Sequence, residues 1–362
     1  MSGNLHAFPA WQGNPYLNML YIGLTAEGWH IEGTKNVDSL ERAVRRLGKG
    51  DVLHVHWTSP ILQRTDRAAA RTALDQFQRL VHAFKQSGGA LIWTVHNAFT
   101  HDARFPDLEV ELAEALASHA DRIIQLNGMT REVVSEHYDL PADKLVTLRH
   151  ASYAGIYAAP PSALDARARR GIPAFSSVVG FIGQMRPYKG LPTLFRAMEL
   201  VADDVPDVTL VLAGKTAPTD RAALEKQLPR TVPIVREHSF ISDDEIGSWF
   251  AACDVVVFPY ERVLNSGSIL MASTFGRPCI IPNEPHLLAE WGGQAWVRFY
   301  DKSEMKEASL AETIVSSLAD GPAVRAKALE FAASYRTLDM AWDYVRIVED
   351  VVDRAKAGRH GR

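Results

Sequence analysis

Short apolar runs alternate with longer amphipathic stretches along almost the whole chain. In the first half the strand-like runs are Asp51 to His56, Ala90 to His96, Asp121 to Leu126 and Lys144 to Leu148. Helical periodicity covers Pro15 to Glu27, Asp38 to Leu47, Asp66 to Gln86, Leu108 to Ser118 and Met129 to His137. Several strand-like runs are apolar at successive positions. That pattern predicts a parallel sheet covered by helices on both faces.

The alternation breaks at Ala158 to Ala174, which holds Ala-Pro-Pro-Ser, then Arg167, Arg169 and Arg170, then Gly-Ile-Pro. This stretch reads as an interdomain linker. Strand signals resume at Val178 to Ile182 and continue through Val208 to Ala213, Val232 to Val235, Asp254 to Phe258, Pro278 to Ile281 and Ala295 to Phe299. Helical segments follow at Ser309 to Leu318, Pro322 to Tyr335 and Leu338 to Ala357. The fold class is therefore α/β, with two Rossmann-like doubly wound domains facing a cleft. The expected boundaries are 1–165 and 166–337, with a C-terminal helix at 338–362 packing back on the first domain.

A length of 362 residues accords with two domains. With 47% hydrophobic and 23% charged residues, the chain is globular rather than disordered. A net charge of −4 gives no general case for nucleic-acid binding. Cys253 and Cys279 read as small core residues, and no paired-cysteine spacing suggests a disulfide framework or zinc site. No apolar run approaches the roughly 20 residues of a membrane span, and Met1 to Trp11 lacks a signal-peptide layout. A cytoplasmic protein is expected.

The candidate chemistry lies in two loops, each expected at the carboxyl end of a strand, where open α/β sheets bind ligands. In the first, Gly183-Gln184 turns the chain and Arg186 and Lys189 supply fixed cations. In the second, Tyr260 and Glu261 lead to Asn265-Ser266-Gly267-Ser268 at a helix start, where backbone N–H groups can receive an anion. Each loop alone reads equally well as a basic turn or a plain helix cap; together they point to a bound diphosphate and so to a nucleotide-sugar. Gly214-Lys215 is similarly placed, and the backbone around Phe240 and Ile241 could read a nucleobase edge. Ser242 or Asp243 is expected to cap the next helix. A dinucleotide-binding reading fails because no G-x-G-x-x-G follows a strand, and Gly183 to Gly190 lacks the end of a Walker loop.

In the first half, His54 and His56 alternate onto one strand face and read as packed or hydrogen-bonded residues rather than zinc ligands. His96 ends a strand, His101 and Asp102 follow in its loop, and His150 follows the next strand signal.

In order and spacing the chain resembles the GT-B glycosyltransferases of the family-4-like clan. The resemblance rests on Asp51-Val-Leu-His-Val-His56, Thr94-Val-His-Asn97, Gly183 through Lys189-Gly190 and Phe275-Gly-Arg-Pro278. It is closest to the xanthan-type β-mannosyltransferases of family 94, through Asn14-Pro15-Tyr16-Leu17, His96-Asn97 with His101-Asp102, and Asn265-Ser-Gly267. The paired glutamates usual in family 4 are replaced by Val263 and Met271, and the usual arginine after the loop glycine by Gln184.

The resemblance implies a metal-independent, cofactor-free glycosyltransferase that inverts, moving mannose from GDP-mannose onto a glycan or polyprenyl-linked oligosaccharide in polysaccharide or glycoconjugate assembly. Asp102 and His96 are the first base candidates, with His101 and His150 behind them, and Asn14, Tyr16, His101 and His150 are expected on the acceptor side. A retaining family-4-like enzyme using a UDP-sugar, an inactive GT-B scaffold subunit and a nucleotide-sugar epimerase are the competing readings. Arg64, Arg67, Arg71, Arg79, His82 and Lys85 recur at helical intervals. They would give a basic face for peripheral contact with the inner membrane surface, or an ordinary solvated one.

Overall fold

The computed structural model describes residues 3–11, 13–100 and 103–357. Its elements begin β1 (Asn4–Phe8), α1 (Pro15–Ala26), β2 (His30–Gly33), α2 (Val37–Val44), β3 (Val52–Val55), α3 (Ser59–Leu62) and α4 (Arg67–Gln86). They continue β4 (Ala90–Val95), α5 (Pro106–His119), β5 (Arg122–Gln125), α6 (Thr130–Val134), β6 (Leu145–Thr147) and α7 (Ala163–Ala168). Next come β7 (Val178–Ile182), α8 (Leu191–Asp204), β8 (Thr209–Ala213), α9 (Pro218–Glu225), β9 (Ile234–Glu237), α10 (Ile246–Ala252) and β10 (Val255–Val257). The chain ends α11 (Gly267–Thr274), β11 (Cys279–Pro282), α12 (Pro285–Trp291), β12 (Val297–Tyr300), α13 (Lys306–Leu318), α14 (Pro322–Ser334) and α15 (Thr337–Ala357).

These elements form two compact units. One holds Met1–His150 with Thr337–Arg362, the other Ala151–Arg336. Each is built on a six-stranded sheet whose strand pairs are all parallel. Every residue of β3, β4, β7 and β8 is buried, because helices cover both sheet faces. Each buried Leu, Ile or Val there contributes about 1.5–3 kcal/mol of transfer free energy.

In the first unit the strand order is β2-β1-β3-β4-β5-β6, which reverses direction between β1 and β3. In the second it is β12-β11-β10-β7-β8-β9, which reverses between β7 and β10. Such switch points open a crevice at the carboxyl ends of the strands. Helix α15 packs on α1 and β4 within the first unit. Small residues allow the close approach: an added Cβ on Gly23 would lie 3.0 Å from the Ala341 carbonyl oxygen.

Several elements differ from expectation. β1 and β2 carry no strong strand signal. β1 is short, and its His6 is buried against the Thr34 hydroxyl, 3.1 Å away. β2 is a largely exposed edge strand whose partner is β1. The helix expected over Met129 to His137 closes after Val134, whose carbonyl accepts from the His137 and Tyr138 N–H groups. Helix α10 starts at Ile246 with no side-chain cap. The Ser242 carbonyl accepts from the N–H groups of Glu245 and Ile246, and neither the Ser242 nor the Asp243 side chain caps the helix.

The supposed linker at Ala158 to Ala174 is a built part of the second unit. It contains α7, capped by Ser162, and buried Arg167 donates to the Asp254 carboxylate (2.7 Å) and to the Ala252 and Ala174 carbonyls. The division between units accordingly falls at 150/151 rather than 165/166. Ser152 is held to the Tyr335 and Ala332 carbonyls, and the Tyr153 N–H donates to Thr274 Oγ1.

Candidate functional site

The two phosphate-type loops meet at the switch point of the second sheet. The first follows β7 and the second follows β10, the strands between which the order reverses. Gly190 caps α8 with φ +70°, and a Cβ built on it would stand 1.8 Å from the Pro259 carbonyl oxygen. The Glu261 N–H donates to the Tyr188 carbonyl at 3.2 Å. Between these backbone contacts Lys189 extends its ammonium over two rings, 4.2 Å from the Tyr260 centroid and 5.1 Å from that of Tyr188. The aromatic faces hold the cation in place.

The Tyr260 hydroxyl also shares a proton with Ser266 Oγ at 2.9 Å, and Ser266 makes no side-chain cap to α11. Its hydroxyl is thus spent on the loop, and the first N–H groups of α11 take no hydrogen bond from it. Any side chain at Gly267 would press on the Tyr153 hydroxyl, 2.7 Å from the Cβ position. Glu261 is exposed, and its backbone carbonyl accepts from Lys302, which also pairs with Glu284.

The neighbouring strand ends complete this face. A Cβ on Gly214 (φ +149°) would lie 2.0 Å from the Gly183 carbonyl oxygen, so the β7 and β8 turns press together. The Met185 N–H donates to the Lys215 carbonyl at 3.0 Å. Gln184 and Lys215 are exposed and Arg186 is half-buried. At the end of β9, His238 bridges Thr216 Oγ1 (2.8 Å) and Glu225 (2.7 Å), which braces the turn that presents Phe240 and Ile241. The Phe240 ring is 71% exposed, unusual for a phenylalanine on a braced turn. The residues singled out in this half thus share four adjacent strand ends.

In the first unit, the strand-end residues form a dense aromatic and imidazole cluster. Asn14 caps α1, its side chain accepting from the Tyr16 N–H at 3.0 Å. The Tyr16 ring lies 5.4 Å from His96 and 4.7 Å from His150, and Trp57 stacks on His96 at 4.1 Å. Beneath them His54 and His56 are buried, contacting Tyr21, Tyr344 and Thr94. Burial is the main cause holding the His54, His56 and His96 imidazoles well below their ordinary pKa of 6.5, with neighbouring histidines adding to it. All three are neutral at neutral pH.

Sequence reasoning missed Tyr21, Trp57 and Tyr344. Tyr21 sits inside an ordinary helical pattern, and Tyr344 is 290 residues from His54. The only signal was the two-residue spacing of His54 and His56, which requires buried partners on one sheet face.

His101 and Asp102 lie outside the described residues. The loop that precedes them is anchored by buried Glu109, which accepts from the Thr100 N–H at 2.7 Å and from its hydroxyl. Three of the six residues of the expected basic face at 62–86 are ion-paired. Arg67 pairs with Asp107, Arg71 with Glu111, and Lys85 with Asp121. Among the described residues no helix is long and apolar enough to cross a membrane, and no cluster of three or more His, Cys, Asp or Glu could hold a metal ion.

Comparison with known proteins agrees with this architecture. Residues 176–320 match the family described as glycosyl transferases group 1. The GDP-mannose:glycolipid 4-beta-D-mannosyltransferase of Xanthomonas campestris pv. campestris is 26% identical over 291 residues, 80% of this chain and 76% of that protein. Anabaena Alr3699/HepE, solved in complex with UDP and glucose, superposes with a TM-score of 0.73 at 14% identity, over 97% of this chain and 100% of that one. Sucrose-phosphate synthase from Thermosynechococcus elongatus gives a TM-score of 0.74 at 15% identity, over 97% and 99%. The fold is GT-B.

Proposed function

We propose that this chain, a GT-B glycosyltransferase whose residues 176–320 form its group 1 domain, transfers mannose from GDP-mannose to a glycan or lipid-linked oligosaccharide with inversion to a β linkage. The observation that carries the reading is the interlock of the β7 and β10 loops. It sets Lys189 and the start of α11 at one switch point. Glycosyl transfer builds positive charge on the sugar and negative charge on the departing diphosphate. Fixed cations and helix N–H groups stabilise that leaving group without reorganising. Lys189, Arg186 and the N–H groups at Gly267 and Ser268 take this role, and Gly183, Gly214 and Lys215 shape the same face. Phe240 and Ile241 meet the nucleobase, and Glu261 and Asn265 the ribose and sugar hydroxyls.

The name of the Xanthomonas relative supports mannose and guanine. Asp102 and His96 are the candidates for the general base that an inverting transfer needs, with Asn14, Tyr16, His101 and His150 on the acceptor side. No divalent metal takes part in this reading, so transfer should persist in chelator. Contact with a membrane surface would bring the enzyme to a lipid-linked acceptor.

A screen of nucleotide-sugars, read as nucleotide released with and without acceptor, tests the proposal. Acceptor-dependent release of GDP supports it. A second reading, a UDP-sugar-dependent retaining enzyme, is favoured by the UDP and glucose bound to HepE, and predicts release of UDP instead. No release from any donor would identify an inactive scaffold subunit.

A further inference from the structure

Two tryptophans flank the switch point of the first sheet. Trp11 follows β1 by three residues and Trp57 follows β3 by two, and the strand order reverses between these strands. Ligands of open parallel sheets bind in the crevice at such a point. The rings stand in series: Trp11 lies 4.7 Å from Trp57, and Trp57 stacks on His96 at 4.1 Å with 18° between planes. Five of the eight tryptophans in the chain are 8% exposed or less, whereas Trp11 is 37% exposed. An indole gains free energy by leaving water, so one held open at a strand-end crevice fits a guest that covers it.

The turn that presents Trp11 is braced. The Ala10 N–H donates to the Thr34 carbonyl at 2.8 Å, and the Trp11 carbonyl accepts from the Asn14 N–H at 3.2 Å. A Cβ built on Gly33 would lie 2.2 Å from the Ala10 methyl, so this turn is pressed against the end of β2. With its backbone fixed, the indole has little ordering entropy left to lose on binding.

The chemistry of the surface narrows the guest. Neither indole N–H has a hydrogen-bond partner among the described residues. The neighbouring His56 and His96 imidazoles are held neutral, mainly by burial. The result is an uncharged aromatic floor with donors at its edge. A pyranose ring has the matching shape, with C–H groups across its faces and hydroxyls around its rim.

We propose that Trp11 and Trp57 form a saccharide subsite, in which a pyranose ring of the acceptor lies against the exposed Trp11 face and its hydroxyls take the indole N–H groups. Its assignment to the acceptor rests on the glycosyltransferase reading, whereas the sugar site itself does not.

Indole N–H signals of 15N-labelled protein report the site without activity. The Trp11, Trp57 and Trp342 peaks are assigned from their loss in the three Trp→Phe variants. Methyl glycosides of glucose, galactose and mannose in both anomeric forms are titrated, with sorbitol as a polyol that lacks a ring face. At least one glycoside should shift the Trp11 and Trp57 peaks together. Sorbitol should shift neither, and Trp342, an exposed indole on α15, should not respond. Trp11→Ala should weaken that glycoside about tenfold at the Trp57 peak, the worth of one aromatic face, and Trp11→Tyr should recover most of the loss. Silence of both peaks with all the glycosides overturns the proposal. A response to choline or decyl phosphate alone overturns it too, by assigning the rings to a cation or a lipid chain.

Activity adds a second arm. Trp11→Ala should raise the acceptor KM about tenfold and leave the donor KM unchanged. An unchanged acceptor KM, or an equal rise for the donor, overturns the acceptor assignment. Absence of transfer by the wild type with every donor would fail the glycosyltransferase reading instead, with the indole spectra still deciding the sugar site.

Discussion

The Pro259 carbonyl oxygen occupies the space where a side chain on Gly190 would begin, 1.8 Å from an ideal Cβ. The helix start after β7 therefore rests directly on the turn after β10, and only a residue without Cβ permits it. Gly190 also has φ +70°, a conformation that costs other residues roughly 1–2 kcal/mol before any collision. We expect Gly190→Ala to destabilise the protein by about 3 kcal/mol or more, the range of mutations that overpack a rigid site. It should also abolish nucleotide binding. Gly293→Ala, where an added Cβ meets nothing within 4 Å, should change stability by no more than about 0.5 kcal/mol. Urea denaturation of the two variants is the comparison; equal midpoints would show that the loops do not depend on this contact.

Lys189 is held above Tyr260 and Tyr188 rather than left in solvent, and Arg186 is half-buried one turn away. Cations fixed in this way stabilise developing charge without a reorganisation cost. Lys189→Ala and Arg186→Ala should each reduce turnover by roughly two powers of ten. Steady-state kinetics with the preferred donor measure this, and wild-type rates in both variants would remove the diphosphate assignment.

The central strands of both sheets could be read because a doubly covered parallel strand must be apolar throughout, as in Ala90–Val95 and Val178–Ile182; the edge strand β9, which carries Arg236 and Glu237, starts two residues later than its apolar run suggested. β1 and β2 were not readable. Their stability comes from pairing with each other and with β3, and His6 is a polar letter in a buried position. The linker reading failed for a related reason. Arginines suggest solvent, yet Arg167 spends its guanidinium on Asp254 and two carbonyls inside the unit. In the candidate site, glycine turns and cations stand out locally because backbone strain and charge are written in single residues. The support beneath His96 is assembled from α1, β3, β4 and α15, and such a contact leaves no trace in local spacing.

The same support predicts a pH dependence. His54, His56 and His96 have folded-state pKa values below the ordinary 6.5. Above pH 6.5 both folded and unfolded chains keep them neutral, and stability is complete. As the pH falls below 6.5 the unfolded chain binds protons that the folded chain refuses, so stability is lost. The loss approaches about 1.4 kcal/mol per pH unit for each histidine until its folded pKa is reached. Ion-paired carboxylates act lower; Asp107, beside Arg67, is held down to about 2. The urea midpoint should therefore fall between pH 7.5 and 5.5, before the carboxylates titrate. A flat midpoint across that window would mean the three imidazoles are not held neutral.

Stereochemistry tests the proposed reaction most directly. Retaining enzymes of the resembling clan carry glutamates where this chain has Val263 and Met271, and neither replacement can stabilise a sugar cation by charge. Val263 is fixed by its carbonyl, which accepts from His286 at 2.9 Å, and Met271 lies half-buried on α11. The acidic neighbour Glu284 is tied to Lys302. Direct displacement at the anomeric carbon needs no such acid, but it does need a base for the acceptor hydroxyl. A nucleotide-α-mannose donor should then give a β linkage. Asp102→Asn should lower transfer by two or more powers of ten while nucleotide affinity, read by calorimetry, stays within a factor of about three; the nucleotide is assigned to the Ala151–Arg336 unit and Asp102 belongs to the other. Proton NMR of the product reads the anomeric configuration, and an α linkage would overturn the inverting mechanism together with the role of Asp102.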